Sequence, residues 1–335
     1  MTDFLLAKPI LPPDWIDCSV GEAHVVREAL YSIFDIDNYR MQSIPRMDYP
    51  FPTGYEPLVR LLEDKYQAPV VITNGAKQGL GASFYALKQI GRSKVGMRTP
   101  YWALIPPLAN IHGIECLDEY YYDWDSFLCV SPNNPCGSLF DFASLEEECR
   151  NKDIPLIHDA AYHTHTYLPF DYELRRLGDV QIYSASKMFG CSGLRLGWAV
   201  CPNQDYYKLI QAYMETMTVG VSVLPQVFLY DLMSHMERHP QMTHQFEKVS
   251  SAALTRSKQL IKQVNCNVLQ VPDNIEETAG MFLWAKVGPK ADFQKSKINV
   301  IDGKNFGQPG FIRMNLAFDE TTMQDIVNRL NSVVV

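Results

Sequence analysis

The sequence has eight cysteines but no Cys-x-x-Cys pair, so it encodes neither a zinc ribbon nor a disulfide framework. It also lacks a basic cluster. Lysines and arginines are scattered and the net charge is −8, which argues against a nucleic-acid partner. No apolar run is long enough to span a bilayer. The opening MTDFLLAKPILPPDW has no basic n-region, and Lys8, Pro9, Pro12 and Pro13 interrupt its apolar residues, so no secretory leader is expected. Repeats and low-complexity tracts are missing too. These absences predict a reduced, cytoplasmic protein with no membrane and no metal. What remains is an ordinary globular composition: 335 residues, 47% hydrophobic and 20% charged, enough for one large α/β domain and a smaller companion.

The hydrophobic pattern alternates between two periods. A proline-bearing arm leads into a short helix, roughly Glu22 to Phe34. LVRLLEDKYQ from residue 58 is helical in period, PVVIT (69–73) is a β-branched run, and a helix follows to a stop at Gly91. Further buried strands are expected at 93–97, 114–117, 127–131, 155–159, 180–184 and 194–200. With helices between several of them, they imply a mostly parallel sheet covered on both faces. A helical stretch after Pro225 runs toward Arg238, with a break expected at Pro240. Beyond it lie a helix (251–263), strands at 280–287 and 311–318, and a closing helix (321–333), a small α+β unit. The expected organisation is an arm that also joins the small domain (1–45), a large domain (46–240) and a small C-terminal domain (241–335).

YSASKMFGCSGLRLGW (183–198) isolates one lysine, Lys187, among hydroxyl and glycine residues. Two chemistries compete for it. Tyr183 and Lys187 have the Tyr-x-x-x-Lys spacing of short-chain dehydrogenases, and Gly75, Gly79 and Gly81 could form a nucleotide turn. That fold normally starts with the turn, whereas about seventy residues precede it here. Its Tyr–Lys pair belongs on a helix, yet Tyr183 ends a strand-like run. The dehydrogenase reading also leaves Asn134, Asp159, Arg195 and Arg313 without a role.

The alternative is a Schiff-base lysine. Ser184-Ala185-Ser186-Lys187 with Arg195, Gly75-Ala76-Lys77, Asn134 in SPNNPCG, and Asp159 and Tyr162 in HDAAY occur in a consistent order. The chain resembles a fold-type I enzyme dependent on pyridoxal 5'-phosphate (PLP), of the aminotransferase class I/II family. The resemblance implies that Lys187 carries the cofactor and shuttles a proton, and that Asp159 holds the ring nitrogen. It further implies phosphate contacts from Gly75, Ala76, Lys77, Ser184, Ser186 and Arg195. Asn134 and Tyr162 would meet the phenolic oxygen, and Trp102 in TPYW would stack on the ring. Cys136 stands where the family usually has threonine. Arg313 resembles the arginine that binds the substrate α-carboxylate, the resemblance implies a substrate contact from Asn134 as well, and Gly21 resembles a backbone segment that closes over the substrate. Tyr49 resembles a tyrosine that reaches the neighbouring subunit's phosphate, which implies a homodimer with shared sites.

His158, His163 and His165 crowd Asp159, but no matching acidic or cysteine set accompanies them, so no metal is expected. Cys191 is expected to pack. The expected reaction is ping-pong transfer of an amino group between an L-amino acid and a 2-oxo acid. A lyase, decarboxylase or synthase on the same fold is the alternative, ahead of a non-catalytic PLP-fold protein.

Overall fold

The computed structural model describes residues 10–41, 48–121, 123–174 and 178–334. The opening residues 1–9 and the expected 45/46 boundary fall outside these. A seven-stranded sheet forms the larger half. In spatial order its strands are Val70–Thr73, Gly197–Val200, Val180–Ser184, Leu156–Asp159, Ser126–Val130, Lys94–Met97 and Glu115–Asp118. All pair in parallel except Gly197–Val200, which runs antiparallel to both its neighbours. The strands of the middle are buried along their whole length because helices cover both faces. Ile72, Leu128, Ile157, Ile182 and Trp198 are fully shielded in this core.

The smaller half is a four-stranded antiparallel sheet, Ile301–Asp302, Phe311–Asn315, Phe282–Val287 and Leu269–Gln270 in order. It builds a second core around Leu283, Ile298, Met314 and Ile326. The arm is joined to this half: Ile16–Asp17 pairs in parallel with Ile298–Asn299.

Two local expectations are corrected. The helix predicted at 251–263 begins at Pro240 and runs to Ile261. Pro240 occupies the first turn, where a missing N–H costs nothing, so it starts this helix as well as separating it from Val223–Arg238. Phe246 and Leu254 of this helix enter the first core, and Ile261 the second. The strand predicted at 194–200 is confined to Gly197–Val200. Ser192–Leu194 is a 3-10 turn and Arg195 is left-handed with φ 51°, which takes it out of the ladder.

Candidate active site

The parallel strands deliver their C-terminal ends to one cavity of about 240 Å³, the usual place for ligands in such sheets. Asp159 closes the strand Leu156–Asp159 and Ser184 closes Val180–Ser184. Lys187 follows in the short helix Ala185–Met188. Asn134 and Trp102 come from the segments after Ser126–Val130 and Lys94–Met97. Gly21 and Glu22 of the arm close the front.

Lys187 Nζ donates to the Gly21 carbonyl. Burial pushes its amine down to about 8, against the pull of Glu22, with Arg313 and Arg195 adding to the depression. Tyr167 braces the turn by donating its hydroxyl to Lys187 O at 2.8 Å. In the same cavity Asp159 is 6% exposed, and burial raises its carboxyl to about 6. Oδ1 accepts the Ala161 N–H at 3.1 Å. No cation pairs with Asp159 among the described residues. A buried carboxylate in that state is stabilised by any cationic N–H brought to it. Burial likewise raises the Tyr162 hydroxyl pKa.

A second corner gathers positive charge. Gly75 caps the helix Ala76–Gln89 at φ 76°, a conformation suited to glycine, and the first helical turn holds no acidic residue. The amides of Ala76 and Lys77 begin that helix and have no preceding turn to receive them. A Cβ on Gly75 would lie 2.9 Å from Arg195 Nη2, so the glycine admits the guanidinium. Lys77 Nζ lies 5.6 Å from the centre of the Trp102 ring. Ser184 and Ser186 line the same cavity, and the Ser184 hydroxyl makes no cap to its own helix. Amides, two hydroxyls and two cations form a donor set that fits a phosphate. Together with the unpaired Asp159 and the amine of Lys187, this cavity fits PLP.

Eleven predicted residues line the cavity: Gly21, Ala76, Lys77, Trp102, Asn134, Asp159, Tyr162, Ser184, Ser186, Lys187 and Arg195. Gly75 stands just behind, against Arg195. Arg313 is 4% exposed and reaches the cavity through Asn134, Nη1 donating to Oδ1 at 3.1 Å. Its Nη2 donates to Ser19 O at 2.5 Å, and its guanidinium lies 4.2 Å from the Phe282 ring centre. Tyr49 is apart from this cavity and 88% exposed. Glu22, Ser192, Tyr167 and Asn315 were missed. The position of Asn315 two residues after Arg313 on a strand was the available signal, because such residues share a face.

The dehydrogenase geometry is not formed. Tyr183 lies on the strand and stacks on Trp198 at 5.7 Å, and it lines a different cavity of about 530 Å³ with Tyr66 and Met236. Among the described residues no group of three or more His, Cys, Asp or Glu is placed to hold a metal ion. No helix among them is long and apolar enough to cross a membrane.

The profile of the family described as aminotransferase class I and II matches residues 55–330. The chain belongs to that family. These are PLP-dependent enzymes, and the aminotransferase fold is equally plain in solved structures. An aspartate aminotransferase double mutant from Thermus thermophilus superposes with a TM-score of 0.78 at 18% identity, over 96% of this chain and 92% of that one. Among curated relatives, tryptophan aminotransferase-related protein 2 of Arabidopsis thaliana is 30% identical over 168 residues, 46% of this chain. That match spans only 36% of the plant protein's length. A probable aspartate/prephenate aminotransferase of Aquifex aeolicus (strain VF5) is 21% identical over 308 residues, 79% of this chain and 75% of that protein.

Proposed function

We propose that the protein transfers an amino group between an L-amino acid and a 2-oxo acid, with Lys187 and Asp159 at the centre of its site. The observation that carries this reading is their meeting in one cavity with opposed perturbations. The amine is depressed to about 8 and the acid is raised to about 6. Paired groups whose environments move them in opposite senses are a mark of proton-transfer sites.

Bound PLP supplies an electron-withdrawing ring that acidifies the substrate's Cα–H. Asp159 holds the ring nitrogen in its protonated form. Asn134 and Tyr162 hydrogen-bond the phenolic oxygen, and Trp102 packs against the ring face. Gly75, Ala76 and Lys77, with Ser184, Ser186 and Arg195, hold the phosphate. Arg313 takes the substrate α-carboxylate in a two-point grip, beside Asn134 and under the Gly21 segment. Neutral Lys187 Nζ takes and returns the proton at the substrate Cα. Since one protein site serves donor and acceptor in turn, the kinetics are ping-pong.

Tyr49 reaches the phosphate of a neighbouring copy in a homodimer. Its exposure supports this, as do Phe51 at 69%, Met217 at 60% and Leu224 at 42% exposed. The second core supports a small C-terminal domain joined by the arm, while Phe246 and Leu254 in the first core carry the expected boundary at 240 on into the helix Pro240–Ile261. Eight unpaired cysteines favour a reducing compartment, the cytoplasm. The relatives' names point to different amino donors, so no single donor is proposed.

The test is borohydride reduction of the PLP-loaded protein followed by peptide mapping. The cofactor mass is expected on Lys187, and a visible band is expected to bleach with an amino acid and return with a 2-oxo acid. Cofactor found on another side chain, or on none, overturns the reading.

A further inference from the structure

Asn315 is completely buried at the end of the strand Phe311–Asn315. Its Nδ2 donates to Val20 O at 3.0 Å and to Glu22 O at 2.8 Å. Oδ1 accepts the Ala317 N–H at 2.9 Å, and the backbone N–H of Asn315 donates to Cys18 O at 2.8 Å. Both amide protons of the side chain therefore grip carbonyls on either side of Gly21. Between those two anchors the Gly21 carbonyl is turned onto Lys187 Nζ. Space there is tight. A Cβ on Gly21 would lie 3.1 Å from Phe282 Cζ and 3.2 Å from Lys187 Nζ. On the far side, Ser192 Oγ donates to Glu22 Oε2 at 2.6 Å, tying the arm to the turn that follows Lys187.

We propose that Asn315 is a positioning residue: by holding the carbonyls of Val20 and Glu22 it seats the arm over Lys187 and keeps that amine dry and oriented. The inference rests on Lys187 being the amine that takes the cofactor. The charged groups facing it are Glu22 from the arm, Arg313 from the strand and Arg195 from the following turn. Burial is the largest influence on the amine and lowers its pKa; Glu22 opposes it. Releasing the arm admits water, removes the largest depressing influence and lets the ammonium form persist to higher pH. Asparagine suits the position because it offers two donors and one acceptor in a plane, whereas aspartate offers acceptors to two carbonyls.

The experiment measures the rate at which PLP attaches to the apoprotein across a range of pH. Attachment is trapped with borohydride and counted as cofactor mass on the Lys187 peptide. In Asn315→Ala and Asn315→Asp the midpoint is expected to rise by about one unit, an about tenfold loss of free amine at neutral pH. Gly21→Ala pushes the arm away from the other side and is expected to move the midpoint in the same direction. That variant carries the test if the Asn315 substitutions do not fold. A lower melting temperature with an unmoved midpoint would make Asn315 merely structural and overturn the proposal, as would an unmoved midpoint in Gly21→Ala. Wild-type label on another residue would defeat the assignment of Lys187 first, and this inference with it.

Discussion

Arg313 and Asn134 meet between the two halves of the molecule, Nη1 to Oδ1 at 3.1 Å, and both are buried. One residue comes from the small antiparallel sheet, the other from the segment after a central parallel strand. Burial lowers the guanidinium to about 10, which leaves it charged at physiological pH. A cation held this way is ready for a carboxylate.

Arg313→Lys keeps the charge but loses the planar fork. Charge-assisted hydrogen bonds contribute about 1.5–3 kcal/mol each, so kcat/KM for the amino donor is expected to fall about 100-fold. Most of that loss should appear in KM. Steady-state kinetics would refute the assignment if KM stayed level while kcat alone collapsed.

Asp159 gives a prediction with a definite sign. Its native pKa, about 6, lies above its ordinary 3.8. The native apoprotein therefore binds the extra proton between those values, and the associated stability is present below 3.8 and lost as pH rises through 6. Apo Asp159→Asn is expected to be more stable than wild type above pH 6, by on the order of 3 kcal/mol, with the gap closing in acid. Denaturant titrations at several pH values check this. Loading PLP is expected to shrink or reverse the difference, because only the carboxylate gains a cationic partner.

Much of the lining of this cavity was legible because it is drawn from short local motifs. Lys187 is flanked by Ser184 and Ser186, and Asp159 closes an apolar strand, so their residue types and neighbours suffice. Asn315 and Tyr167 were not legible, since their importance lies in partners far along the chain: Val20 and Glu22 for one, the Lys187 carbonyl for the other. Local pattern also misled at Leu194-Arg195-Leu196, which alternates like a strand. Arg195 instead turns left-handed, bringing its guanidinium to Gly75.

Acid is expected to loosen the protein through two histidines. The rings of His158 and His163 lie 5.2 Å apart, and burial lowers them to about 4 and about 3. His158 Nε2 faces Ser131 O at 2.9 Å. Unfolded histidines titrate near 6.5, so the unfolded chain binds more protons from there down to about 4 for His158 and about 3 for His163. Stability is full above that window and drains as pH falls through it. Thermal melts of His163→Gln should show a shallower decline than wild type; parallel curves would rule the ring out.

Tyr49 is tested by mixing subunits. Lys187→Ala and Tyr49→Ala dimers each carry damage in both sites. A mixed dimer would have one site with an intact lysine and an intact neighbouring tyrosine. Activity is expected to return after the two proteins are unfolded and refolded together. Failure to recover, with mixed dimers shown by native mass spectrometry, would place Tyr49 outside the partner's site.

The pairing of Ile16–Asp17 with Ile298–Asn299 has a consequence for biosynthesis. A growing polypeptide makes Ile16–Asp17 long before the strand Ile298–Asn299 that receives it. Closing so long a loop comes late in folding. A nascent chain halted before residue 298 has its lysine and its phosphate corner but no front wall. Retention of the coenzyme would thus certify that synthesis had passed the strand Ile298–Asn299.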